Sequence, residues 1–198
     1  MNQHGHALFA TPVGTCGIAW TSRGIAALQL PESSTAGTRA RLLRRLAAVG
    51  VDIADEDLLT RPQAPAPDAR RAIDAILELL HGTPEALDFI VLDDLDLPAF
   101  DRRVYAETRA IAPGTTLTYG DVARRIGEPD SARAVGQALG RNPMAIIVPC
   151  HRVLAAGGAI GGFSAGGGAA TKRRLLAIER ARTGTGPDLF ADEHRITR

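Results

Sequence analysis

Pro149-Cys150-His151-Arg152 is the stretch of this 198-residue chain whose residue types and order could do covalent chemistry. A thiol attacks only as the thiolate, and an unperturbed cysteine, with a pKa of about 8.5, needs a base or a positive field beside it to become one. Here a histidine follows directly and an arginine comes next. The apolar run Ala145 to Val148 reads as a short strand that Pro149 ends, which sets the thiol on a tight bend. Adjacent side chains of an extended segment diverge, so His151 is expected to reach the sulfur through a water. The same tripeptide equally fits a buried, inert cysteine beside a core histidine, because free cysteine is among the most buried residue types. These residues alone leave both readings open.

The elements that must position this stretch can be read outwards from it. Upstream, Thr118-Tyr119-Gly120-Asp121 has the form of a capping box, opening a short helix that runs to about Ile126 and ends at Gly127. Asp130 or Ser131 caps a second helix, to about Leu139, with Gly140 after it. Two short helices joined by a turn form a helix-turn-helix pattern, although any helical corner looks alike. Before them, Pro98 opens a helix with Phe100, Val104 and Ile111 on its core face, stopped by Pro113-Gly114. Downstream, Gly157 to Gly168 is a glycine-rich loop, and a last helix is expected over Thr171 to Arg182. The first half reads as strands at Leu8–Ala10, Thr15–Trp20 and Ile25–Leu30, with a hairpin turn at Ser22-Arg23-Gly24. Helices follow over Thr38–Val49 (apolar at Leu42, Leu43, Leu46 and Val49) and Asp68–Leu80 (Ile73, Ile76, Leu77 and Leu80), with Arg61–Pro67 as a loop between them.

Charge divides the chain the same way. Residues 1–99 carry 8 Arg against 13 Asp or Glu, net −5, whereas residues 100–182 carry 13 Arg or Lys against 6 acids, net +7. Positive charge gathered on one region suits a polyanion partner, since neutralising phosphates releases counterions. Chance asymmetry between two domains would look similar. With 45% hydrophobic and 23% charged residues and no apolar run of membrane-spanning length, an ordinary globular protein without a membrane partner or signal peptide is expected. Two cysteines, Cys16 and Cys150, favour a reducing compartment over a disulfide scaffold. His4, His6, Cys16 and His81 are scattered without ligand spacing, so no metal is expected.

The longer pattern is more specific. Ile146-Ile147-Val148-Pro149-Cys150-His151-Arg152-Val153 resembles the active-site motif of O6-alkylguanine-DNA alkyltransferases, also called methylated-DNA–protein-cysteine methyltransferases. Tyr119-Gly120-Asp121-Val122-Ala123 looks like the opening of that family's helix-turn-helix, and Ala132-Arg133-Ala134-Val135-Gly136 like its recognition helix. Arg141-Asn142-Pro143 looks like its asparagine hinge, and Lys172-Arg173-Arg174-Leu175-Leu176 with Glu179 like its last helix. Order and spacing hold from Phe100 to Glu179. Before Phe100 the resemblance is mainly Thr11-Pro12-Val13-Gly14 and the hairpin after it.

The resemblance implies a role for each matching residue. Cys150 is the nucleophile and final alkyl acceptor, His151 its water-mediated base, and Glu179 the acid that orients His151, as in a hydrolase triad. Tyr119 gives a proton towards the leaving guanine, and Asn142 braces the turns around the site. Arg133 fills the space left by a flipped base, while the small residues Ser131, Ala132, Ala134 and Gly136 let the helix approach a groove. Backbone groups of Cys150 and Val153, with Phe163 and Ser164, form the base pocket. Arg152 is expected to hold loop carbonyls.

The expected architecture is an α/β N-terminal domain over residues 1–93, ribonuclease H-like by the resemblance. A mainly helical winged helix-turn-helix domain over 98–182 follows, then a mobile tail over 183–198. The implied activity is single-turnover transfer of a methyl or small alkyl group from O6-alkylguanine in double-stranded DNA to Cys150, with no cofactor. The protein is expected to be a monomer, cooperative assembly on DNA being left open, in the cytoplasm (the nucleus in a eukaryote). The alternatives are a lesion-binding sensor that transfers nothing, which in such relatives lacks the cysteine; a transcription regulator, which has no use for Pro149–Val153; and a cysteine hydrolase.

Overall fold

Three short strands open the chain, joined by reversals at which glycine stands where the backbone needs it. They are β1 (Gly5–Thr11), β2 (Gly14–Thr21) and β3 (Gly24–Gln29), antiparallel and in sequence order. At the Ser22-Arg23 turn, Thr21 pairs with Gly24, whose φ of +145° lies in the region that L side chains rarely adopt. A Cβ there would also stand 2.5 Å from the Val91 carbonyl oxygen. That close approach lets residues 91–93 run beside β3, with Ile25 N donating to Val91 O and Asp93 N to Ile25 O, both at 2.9 Å. The computed structural model describes residues 4–48, 64–94 and 96–182; the expected tail at 183–198 lies outside them.

Two helices cover the sheet. Helix α1 (Thr35–Ala48) starts three residues before the expected Thr38, because Ser34 caps it by accepting from Gly37 N at 3.0 Å. Leu42 and Leu46 bury against Ala19, Ala26 and Ala27, with Leu43 partly buried beside them; Val49 lies outside the described residues. Helix α2 (Pro67–Leu80) sets Ile73, Ile76, Leu79 and Leu80 against Ile18, Trp20, Ile25 and Leu28, whereas Leu77 is only partly buried. Gly82, at φ +94°, turns the chain away after it.

A second core gathers Val104, Tyr105, Ile111, Val122, Ala123, Val135 and Leu139 from three further helices and their links. Helix α3 (Ala99–Arg109) begins after Pro98. Helix α4 (Tyr119–Arg125) carries the capping box: Thr118 Oγ1 accepts from Asp121 N at 3.1 Å and Asp121 Oδ2 from Thr118 N at 2.8 Å. Helix α5 (Ala132–Arg141) packs across it. Ser131 occupies the N-cap of α5 without capping it, its hydroxyl donating to Glu128 Oε2 at 3.1 Å instead. Gly140 does not end this helix. It runs on to Arg141, whose Nε and NH2 grip the Asp101 carboxylate of α3 at 3.1 and 2.8 Å. A short parallel pair, β4 (Leu117–Thr118) with β5 (Val153–Leu154), ties the segment before α4 to the chain after Cys150. The whole is a small sheet plus helices, mixed α/β.

Two expectations are corrected. Residues 145–148 are not a strand but a tight buried turn: Val148 N donates to Met144 O at 2.8 Å, and Ile146 takes φ +70°. The run is apolar because it is wedged between the two cores, with Leu28 N bonding Pro143 O and Ala145 N bonding Leu28 O. The last helix, α6, spans Gly168–Ile178 and not Thr171–Arg182. It ends in a left-handed reversal at Arg180 (φ +53°), with Arg180 N on Ala177 O and Ala181 N on Leu176 O. Glu179 is therefore the residue that closes the helix.

Candidate active site

Cys150 opens a single 3-10 turn, Cys150–Arg152, set on the end of the buried turn by Cys150 N donating to Val148 O at 2.8 Å. Its thiol lies at a cavity of about 440 Å³ that is also lined by Tyr119, by Gly136, Leu139 and Gly140 of α5, and by Gly162, Phe163 and Ser164 of the glycine-rich loop. That volume falls within the range of small-ligand sites. Burial pushes the Cys150 thiol up; a hydrogen bond with the Asn142 side chain and the charges of Lys172 and Arg45 pull it back. Cys16, by contrast with half-buried Cys150, is fully buried, and its thiol is driven up to about 12 by burial, with only the Thr11 hydroxyl opposing.

The turn brings His151 to Glu179. Nε2 meets Oε1 at 2.9 Å, with both side chains almost wholly buried. Burial lowers the His151 pKa and keeps the ring neutral, against the pull of Glu179. A neutral ring facing an ionised carboxylate carries its hydrogen on Nε2, so Nδ1, buried and without a partner, is the nitrogen left to take a proton. Burial also works against a charged Glu179, but hydrogen bonds from His151 and Arg152 prevail and hold its pKa at about 2. Arg152 gives this carboxylate two further hydrogen bonds: Nε meets Oε2 and NH2 meets Oε1, both at 2.8 Å. Of the loop carbonyls expected as its partners it takes one, that of Ile111, at 2.5 Å.

Asn142 stands at the end of α5, its Nδ2 donating to Val148 O at 2.8 Å and its Oδ1 accepting from Met144 N at 2.9 Å, so both ends of the nucleophile's turn are tied to one side chain. Tyr119 is half-buried on the cavity wall, and burial, then the Cys150 charge, raise its phenol. Gly136 faces that ring, and a Cβ there would meet it at 3.7 Å, an ordinary van der Waals contact. Arg133 is exposed on the outer face of α5, beside half-buried Ser131, Ala132 and Ala134. Val153 does not line the cavity: its side chain joins the second core and its carbonyl is taken by Lys172.

Three basic residues near the site were not foreseen. Lys172 is fully buried, donates from Nζ to Val153 O at 2.6 Å and lies 5.8 Å from the centre of the Tyr119 ring. Its signal was in the composition: it is the sole lysine among 23 basic residues. Arg45 of α1 donates to the Asn142 carbonyl, and Arg41 to that of Ser164 at 2.5 Å. Among the described residues, no group of three or more His, Cys, Asp or Glu is placed to hold a metal, and His6 instead accepts from Arg39. No helix among them is long and apolar enough to cross a membrane.

Residues 99–181 match the family model described as the DNA-binding domain of 6-O-methylguanine DNA methyltransferase. The methylated-DNA–protein-cysteine methyltransferase of Mycobacterium tuberculosis (strain H37Rv) is 46% identical over 119 residues, 60% of this chain and 70% of that protein. The namesake from Mycolicibacterium paratuberculosis is 45% identical over 106 residues, 54% of this chain, which spans 63% of that relative's length. The crystal structure of Mycobacterium tuberculosis OGT in complex with DNA superposes with a TM-score of 0.64 at 31% identity, covering 93% of this chain and 96% of that one. The chain belongs to the methylated-DNA–protein-cysteine methyltransferase family.

Proposed function

We propose that this protein repairs DNA by direct reversal, moving a methyl or small alkyl group from guanine O6 to Cys150. The observation that carries the reading is the cavity: Cys150 opens onto it, backed by the His151–Glu179 contact of 2.9 Å and faced by Tyr119. His151 takes the thiol proton at Nδ1, through a water, and Glu179 stabilises the imidazolium. The sulfur attacks the alkyl carbon in line, the S–C bond forms and the C–O6 bond breaks. The electron pair goes to guanine, which Tyr119 protonates. Asn142 keeps the turn in place. The thioether is stable, so each molecule acts once, and the residues of the site need no cofactor.

A base inside a duplex cannot reach a thiol in a cavity, so the guanine is flipped out, at a cost of a few kcal/mol. Arg133, exposed on α5, fills the gap it leaves, and Ser131, Ala132, Ala134 and Gly136 keep the helix surface low enough to enter a groove. Phe163 and Ser164 hold the flipped base. Residues 98–182 are the working domain, a winged helix-turn-helix; residues 1–93 are a ribonuclease H-like domain. The protein acts as a monomer on double-stranded DNA in the cytoplasm.

Intact-mass spectrometry after mixing with an O6-methylguanine duplex tests the reading. A single added methyl that maps to Cys150, absent from Cys150→Ala, is the expected result; tight lesion binding without any mass change would overturn it.

A further inference from the structure

The cavity's two walls are unequally supported. The inner wall is α5, a regular helix braced at its end by Asn142. The outer wall, Gly162-Phe163-Ser164, belongs to a glycine-rich loop, and no backbone–backbone hydrogen bond ties residues 160–164 to the rest of the described chain. Thr171 of α6 holds the far end of the loop, donating to the Gly166 carbonyl at 2.6 Å, while the cavity wall itself is held from the first half of the protein. Arg41 NH2 donates to the Ser164 carbonyl at 2.5 Å, while Arg41 NH1 pairs with Glu32 Oε1 at 3.2 Å. Glu32 is itself fixed, accepting from Gln29 Nε2 at 3.0 Å and donating through its backbone N to Thr38 Oγ1 at 2.9 Å. Two residues beyond Ser164, the loop rests on the same segment: a Cβ at Gly166 would lie 2.5 Å from the Pro31 carbonyl oxygen. One turn along α1, Arg45 grips the Asn142 carbonyl, so two arginines of one helix reach the two walls.

We propose that Arg41, oriented by Glu32, is a specificity-determining residue: by holding the Ser164 carbonyl it fixes the outer wall of the Cys150 cavity and limits the size of alkyl group that reaches the sulfur. The inference rests on the transfer reading above. A bulky O6 substituent needs the loop to move outwards, and that movement breaks a charge-assisted hydrogen bond. A methyl group needs no such movement. Removing the guanidinium therefore favours large groups over small ones.

The test uses the full-length protein, Arg41→Met, and Arg44→Met as a control that removes the same charge from an exposed position of α1. Single-turnover transfer is measured from duplexes carrying O6-methylguanine and O6-benzylguanine, together with amide hydrogen exchange of residues 161–167. In Arg41→Met the benzyl-to-methyl rate ratio is expected to rise about threefold or more, with faster exchange in the loop; Arg44→Met leaves both unchanged. Glu32→Gln moves both in the same direction by less. An unchanged ratio in Arg41→Met overturns the proposal, whether or not the loop exchanges faster, and so does an equal rise in Arg44→Met. If the wild type transfers neither group, the transfer reading fails and takes the proposal with it; if it transfers both and the ratio does not move, only the proposal fails.

Discussion

Replacing Glu179 with glutamine keeps the shape of the side chain and removes its charge, and the structure sets what that costs. The carboxylate accepts three hydrogen bonds, two from Arg152 at 2.8 Å and one from His151 at 2.9 Å, with both charged side chains 5% exposed or less. An amide presents one oxygen where two were used and turns an N–H towards a donor. The guanidinium of Arg152 is left buried without its counter-charge, with the Ile111 carbonyl and at most that one oxygen as partners. Breaking a buried pair from one side costs about 3–5 kcal/mol, a large share of the roughly 5–15 kcal/mol that holds a typical domain folded. The same change frees the Nε2 hydrogen of His151 from its acceptor, so Nδ1 is no longer fixed as the base.

Urea denaturation and single-turnover methyl transfer separate the two effects when Glu179→Gln is compared with the double variant Glu179→Gln/Arg152→Met. Removing Arg152 as well abolishes the orphaned charge, so the double variant is expected to regain part of the lost stability. The gain is incomplete, because an unpaired Ile111 carbonyl still costs about 1–3 kcal/mol. Transfer is not expected to recover, because His151 still lacks its carboxylate. A single variant within about 1 kcal/mol of the wild type would refute the buried-pair argument. A double variant that transfers at the wild-type rate would refute the role of Glu179 behind His151.

Lys172→Met removes a fully buried charge at the expense of one unpaired carbonyl, so urea denaturation should show stability no lower than wild type, while transfer slows about tenfold for each unit by which the Cys150 thiol rises. Glu179, held at about 2 against an ordinary 4.5, contributes about 3 kcal/mol of stability that is present above pH 4.5 and lost as the pH falls towards 2. His151, its pKa lowered by burial, adds stability above pH 6.5 that is lost as the pH falls below that value, so urea midpoints should fall in two stages on acidification and Glu179→Gln should flatten the lower one. Iodoacetamide should modify Cys150 with a pH midpoint above the roughly 8.5 of a free cysteine, and a midpoint below it would contradict the dominance of burial.

What the sequence made legible is what lies close together along it. The capping box of Thr118 and Asp121, the strands either side of Ser22-Arg23-Gly24 and the Pro149–Val153 motif are local patterns, and each stands where expected. The turn over residues 145–148 departs from the strand expected there because its apolar residues report burial between two cores, and burial has no period that separates a strand from a turn. The helix over 168–178 ends before the expected Arg182 because a left-handed residue, Arg180, closes it where no glycine announces the stop. Arg45 and Arg41 act on carbonyls 97 and 123 residues away, and nothing in the local pattern of α1 distinguishes them from Arg39 and Arg44 beside them. In the sequence Lys172 is one of three consecutive basic residues, and the spacing of a motif does not say which charge turns inwards.

Those unforeseen cations bear on why this cysteine, and not Cys16, is suited to a single use. Cys16 is buried and Cys150 half-buried at its cavity, and desolvation raises both thiols. Around Cys16 one hydroxyl opposes that rise; around Cys150 an amide and two positive side chains do. None of the three sits on the Cys150 turn: they arrive from α1, from the end of α5 and from α6. The thiol therefore rests protonated, which protects a group that can be spent only once from stray electrophiles. Its thiolate forms where His151 and fixed positive charge are already in place, at the wall to which the proposed reaction brings the alkyl substituent. Selectivity then follows from geometry: only an electrophile carried into the cavity meets the sulfur with the charges that make it a nucleophile.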